Sequence, residues 1–169
     1  MEKDTFGTLS HLKTNAWKAI RQVQNKIPDF DIAKAQENSA KELLDLVDEN
    51  LRPYLYAAIK NHGITQRAKI EFGKKPLNHQ IIGQLMNEHH HILKTYLKIT
   101  PPLMDKMIDN ANNAGALGSK IVGSGGGGCI VAIVKTENCD KIIKAIKATG
   151  AIDAFSVDIA KGAYLKIHI

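Results

Sequence analysis

Cysteine is nearly absent from this chain of 169 residues. Its two cysteines, Cys129 and Cys139, are too few and too close to suggest a disulfide framework, and that scarcity favours a reducing, cytoplasmic compartment. Long apolar runs are missing as well: none approaches the ~18 residues of a membrane-spanning helix. The amino-terminal "MEKDTFGTLSHLK" lacks the apolar middle of a signal peptide. Arginine is the third scarcity. A net charge of +6 and a pI near 9.3 would admit a nucleic-acid partner, but three arginines stand beside twenty lysines and the basic residues are scattered. Lys141, Lys144 and Lys147 do align, as the wet face of a helix whose other face holds Ile142, Ile143 and Ile146. No nucleic-acid and no membrane partner is therefore expected.

What the chain does have is periodicity. At 44% hydrophobic it can bury roughly 70% of its extended surface, enough for one domain over residues 1–169. Leu9, Leu12, Ala16, Ile20, Val23 and Ile27 recur three or four apart, one stripe of a long helix. Ala40, Leu43, Leu44, Val47 and Leu51 make a second. Pro53 opens a short third helix, "PYLYAAI", which "NHG" is expected to break, with "TQRAKIEF" as a separate piece. "LNHQIIGQLMNEHHHILKTYL" predicts a helix of about five turns. "TPPLMDKMIDNANNAG" predicts another, with Thr100 as N-cap, Pro101 in the first helical position and Gly115 as the stop.

After Gly115 the period changes. "SKIV" and "CIVAIV" read as strands, "ENCDKIIKAIKATG" as an amphipathic helix, and "AFSVDIA" and "AYLKIHI" as half-buried strands. The expectation is an α+β fold: a helical half over 1–115, then a β-β-α-β-β unit over 116–169 forming a four-stranded antiparallel sheet.

Between the first two strands lies Gly123-Ser124-Gly125-Gly126-Gly127-Gly128. It matches G-x-G-x-x-G formally, but a strand follows it instead of the helix whose amino terminus would meet a pyrophosphate. A phosphate loop of the Walker type needs Lys followed by Ser or Thr after the last glycine, where Cys129 and Ile130 stand. A plain hairpin needs only two turn residues. So long a glycine run leaves main-chain N–H groups without side-chain cover, which suits close approach by a phosphate-bearing loop or ligand.

Other candidate sites read as structural. The three histidines of "NEHHH" are consecutive, so on a helix they point to different faces and cannot converge on one ion. Cys129 opens an apolar strand and reads as a small core residue. Asp105 and Asp109 share a helix face that is expected to be exposed. No metal site and no catalytic residue is assigned to this chain.

"GALGSKIVGSGGGGCIVAIV" resembles the third motif of the galactokinase, homoserine kinase, mevalonate kinase and phosphomevalonate kinase (GHMP) superfamily. "IIGQLMNEHHHILKTYLKITPPLMDKMIDNANNAGALG" is similar to the helix pair before that motif. "KDTFGTLSHLKTNAWKAI", "PDFD" and "YAAIKNHGITQRA" resemble the start of the carboxy-terminal half in galactokinase-like sugar kinases. The resemblance implies the superfamily's ferredoxin-like C-terminal domain. It also implies that Gly123, Ser124, Gly125, Gly126, Gly127 and Gly128 support the nucleotide-phosphate loop of the other half.

No segment matches the superfamily's amino-terminal ATP-binding stretch, magnesium ligand or catalytic aspartate, so that domain is expected to be supplied by the same polypeptide or an adjacent gene. ATP and Mg2+ would serve the complete enzyme and bind this chain only weakly. This chain alone is expected to be inactive and to expose an apolar or glycine-lined patch through which it self-associates or recruits the missing domain. The phosphoryl acceptor stays open between galactose, another sugar and mevalonate. The alternative from another class is a stand-alone binding module.

Overall fold

The computed structural model describes residues 5–123, 125–160 and 162. Helix α1 (Thr5–Lys26) buries only the middle of its apolar stripe, at Ala19, Ile20 and Val23; Leu9 and Ile27 stay largely exposed. Two 3-10 turns, Ile32–Lys34 and Glu37–Ser39, lead into the short helix α2 (Ala40–Leu44). Ala40 and Leu43, with Val47 and Leu51 beyond them, close a first core against α1 and against Leu55 and Ile59 of α3 (Arg52–Phe72).

Helix α3 is longer than the sequence suggests. "NHG" does not break it: Asn61, His62 and Gly63 continue the helix, and "TQRAKIEF" is its second half. Glycine inside a helix costs about 1 kcal/mol against alanine, and here the bare Cα is what the packing uses. A Cβ on Gly63 would collide with the Glu37 side chain lying across it. Glu37 accepts from Lys60 Nζ at 2.6 Å and from Arg67 Nε at 2.9 Å, and Arg67 also pairs with Glu88 of the next helix. Burial alone would raise the Glu37 pKa; the hydrogen bond from Lys60 and the charge of Arg67 outweigh it and hold the carboxyl below its usual range.

Helix α4 (His79–Thr95) begins at Asn78, whose side chain accepts from the amides of Gln80 and Ile81. Its buried Ile82, Leu85 and Ile92 pack with Ala57 and Ile64 of α3. Helix α5 (Pro102–Asn113) starts one residue later than expected, with Pro101 and not Thr100 as its cap. The reason is steric: a residue before proline is pushed out of the helical region, and Pro101 sits at φ −62, ψ 143 ahead of Pro102. Gly115, at φ 109, ends the helix as read.

Strands β1 (Gly118–Ile121) and β2 (Ile130–Ile133) pair antiparallel, Gly118 opposite Ile133 and Ile121 opposite Ile130. Helix α6 (Cys139–Lys147) packs Ile142 and Ile146 on Met107 and Ala111 of α5, leaving its three lysines outward. The α+β class and the helical majority stand, but the sheet among the described residues has two strands, not four. Among the described residues the run "AFSVDIA" forms no ladder: Phe155, Val157 and Ile159 are 73%, 74% and 94% exposed. Its alternation marks a face that wants cover without naming the partner strand. The fourth expected strand, "AYLKIHI", lies outside the described residues.

Candidate functional site

The hairpin between β1 and β2 holds the glycine run. The Val122 amide donates to the Cys129 carbonyl at 2.9 Å and closes the ladder below it. Beyond that pair the backbone changes hand: Gly123 has φ 82, and Gly125 to Gly128 have φ 79, 69, 143 and 101. A side chain at such angles is strained. The loop thus joins two adjacent antiparallel strands through left-handed residues, as the glycine spacing suggested. Ser124 lies outside the described residues.

The loop is anchored. Gly126 N–H donates to the carbonyl of Ile99 at 2.7 Å, and a Cβ on Gly125 would stand 2.8 Å from that same oxygen. Ile99 belongs to residues 96–101, the connection between α4 and α5, where Lys98 itself adopts φ 54. A backbone carbonyl carries no signal in the sequence, so this anchor was not readable there.

Two further contacts set the strand that enters the loop. Gly118 and Gly83 of α4 meet backbone to backbone, with no room for a Cβ on either. Beside them Ser119, fully buried, donates its amide to Asn87 Oδ1 at 2.9 Å and its hydroxyl to Asn112 Oδ1 at 2.6 Å; Asn112 Nδ2 donates to the same Asn87 oxygen at 3.1 Å. This network ties β1 to α4 and α5 at once. A satisfied buried network of this kind sets one register.

The face opposite Ser119 is partly open. Lys120, Val122, Cys129 and Val131 share it by strand alternation; Val122 and Val131 are 44% and 40% exposed, and Cys129 is exposed too. Cys129 is therefore not the core residue expected from its apolar neighbours, because the ladder register turns it with Val131 away from α5. Lys120 is half-buried, donates from Nζ to the Ile121 carbonyl at 2.7 Å, and has its pKa lowered by burial.

The histidines of "NEHHH" separate as their helical spacing requires: His89 half-buried, His90 buried, His91 exposed. Asp105, expected on an exposed face, is instead tucked between α4 and α5 with its side chain 15% exposed and Oδ1 3.3 Å from His90 Nε2. Asp109 remains exposed. Burial first, then the charges of Lys120 and His90, push the His89 pKa down to about 4. The unfolded chain takes up that proton near 6.5 and the folded chain does not. Stability should therefore be unaffected above pH 6.5, fall as the pH drops from there to about 4, and level off below. The expected loss is about 2 kcal/mol after discounting for partial exposure. Urea midpoints measured across that window should show the slope, and His89→Gln should flatten it.

A hairpin of left-handed glycines is thus clamped by backbone to the helix corner between α4 and α5. Residues 74–152 match the family described as GHMP kinases C terminal, and that region of the chain belongs to the family. Within it the chain is similar to galactokinases. It is 30% identical to that of Clostridium acetobutylicum over 133 residues, covering 77% of this chain and 33% of that protein. It is 34% identical to that of Bacillus subtilis over 123 residues, covering 69% and 31%. The mevalonate kinase of Methanocaldococcus jannaschii is 38% identical over 64 residues, covering 38% of the chain and 20% of that protein. A crystal structure of Lactococcus lactis galactokinase complexed with galactose shares the fold at TM-score 0.79 and 24% identity, over 88% of this chain and 38% of that one. The chain spans about a third of the length of the curated galactokinases it matches.

Proposed function

We propose that this chain is the carboxy-terminal domain of a cytosolic, ATP-dependent kinase that phosphorylates a sugar hydroxyl, galactose first among the candidates. The observation that carries this reading is the glycine hairpin. Gly125 is buried against Ile99, and the left-handed residues after it, Gly126 to Gly128, bring half-buried to exposed main chain to the surface, held by the bond from Gly126 N–H to the Ile99 carbonyl. A rigid, uncovered backbone is what a phosphate-bearing loop can lie against. Phosphoryl transfer is largely positioning and charge stabilisation, so a loop that only supports contributes directly to rate.

Among the described residues no three His, Cys, Asp or Glu side chains converge, and no step through magnesium is derived from them. The ion, the nucleotide and the catalytic carboxylate belong in this reading to a partner half, encoded in the same polypeptide or beside it. The open strip at Val122, Cys129 and Val131 is the surface that half would cover.

Mevalonate is the second acceptor to consider, because the 64 residues shared with the archaeal mevalonate kinase match at 38% and "GGGGC" resembles the mevalonate kinase form of the motif. The test is turnover of ATP with galactose, other sugars or mevalonate, first by this chain alone and then with an amino-terminal kinase half added. The chain alone should be silent and the pair should phosphorylate a sugar. Turnover by the chain alone, or none by the pair with any acceptor, would sink the reading.

A further inference from the structure

We propose that His90 and Asp105 are positioning residues for the glycine loop, a buried clasp that fixes the helix corner on which the loop rests. The pair faces across α4 and α5: Nε2 of His90 stands 3.3 Å from Oδ1 of Asp105, with side-chain exposures of 7% and 15%. Lys94, on the same helix as His90, reaches the other carboxylate oxygen at 3.6 Å and Asp109 at 3.9 Å. His89, Lys94, Asp105 and Asp109 are the charged and titratable groups that face His90.

The chain that runs between His90 and Asp105 contains the corner. Within it the Ile99 amide donates to the Leu93 carbonyl at 3.2 Å, and the Ile99 carbonyl takes the Gly126 amide at 2.7 Å. Leu93, Met104, Ile108 and Ile121 pack together beneath, with Ile99 against them. A shift of α5 against α4 therefore moves Ile99, and Gly126 with it.

The chemistry of the pair argues for a role beyond stability. Neither ring nitrogen of His90 nor Oδ1 of Asp105 has an aligned hydrogen-bond partner among the described residues. Buried polar atoms left this way are costly, and apolar residues of the same size usually hold such a space as well or better. Direct, charge-sensitive contact between the helices is what an apolar pair would not provide. The inference rests on the kinase reading for what the loop serves, not for where the loop sits.

The test measures the loop itself, by amide hydrogen exchange on the isotopically labelled 169-residue chain with no nucleotide present, so failure of the kinase reading leaves it standing. In His90→Phe, Gly126 should exchange about tenfold faster while the amides of β1 and β2 keep their protection. In His90→Gln, whose side-chain amide can still meet Asp105, Gly126 should stay close to the parent. Unchanged exchange at Gly126, or a loss shared by all amides, would overturn the proposal. If His90→Phe does not fold, Asp105→Leu gives the same readout. If neither folds, the pair is a stability element and the proposal is wrong.

Discussion

Gly118→Val is expected to lower the melting temperature of this chain by roughly 6–12 °C. The bare Cα of Gly118 lies on the backbone of Gly83 in α4, and a Cβ there would overlap the Gly83 carbonyl. The reverse holds as well: a Cβ on Gly83 would strike the Leu117 carbonyl and approach Gly118 N to 2.9 Å. Every obstructing atom is main chain, so no flexible side chain can give way. Relief requires α4 to move off β1, which would also stretch the Asn87 bonds to Ser119 and Asn112. Overpacking at such a site costs about 3 kcal/mol, and a domain of this size loses ~2–4 °C per kcal/mol. Gly73→Ala is the control, since a Cβ there has ordinary room, 3.4 Å from the nearest atom, at an ordinary φ of −77. A Gly118→Val protein melting within a few degrees of that control would refute the close-packing account.

The second large effect is on activity. In the complete kinase that we propose, Gly126→Val should cut turnover per folded molecule on the order of 100-fold while the melting temperature falls only a few degrees. Gly126 sits at φ 69, where a β-branched residue is strained by about 1–2 kcal/mol. The peptide can escape that strain by rotating, but rotation removes its N–H from the Ile99 carbonyl and lets the loop drift. The loop lies at the domain edge with Gly126 half-buried, so little core is lost. Displacement of a positioning surface by about 1 Å is enough for a rate loss of that size. Activity that holds while the melt falls steeply would make the loop structural instead.

Much of this architecture was legible in the residues. The helical stripes, the switch of period after Gly115 and the hairpin around the glycines all follow from spacing and turn chemistry. What escaped the sequence involves partners far along the chain. Gly63 looks like a helix breaker until Glu37 is seen lying across it. Asp105 looks like an exposed acid until His90 is found against it. The alternation at Phe155, Val157 and Ile159 announces an apolar face and is silent about what covers it. At the site, the glycines were evident but their anchor was not, because Ile99 acts through its carbonyl and its side chain plays no part in the hydrogen bond. Gly83 did carry a signal: a glycine in the interior of an otherwise strong helix asks for a packing reason.

The left-handed glycines, Gly123 and Gly125 to Gly128, also bear on how this gene can change. Glycine is the one encoded residue without a stereocentre. Every amino-acid replacement reached from its codons by a single base change adds a Cβ of fixed handedness, whether alanine, serine, valine, aspartate, glutamate, arginine, cysteine or tryptophan. At backbone angles like these each such replacement is strained, by about 1–2 kcal/mol. Drift at these five glycine codons is thus penalised by chirality before any demand of the reaction is counted, and synonymous third-base changes are the ones that escape that penalty.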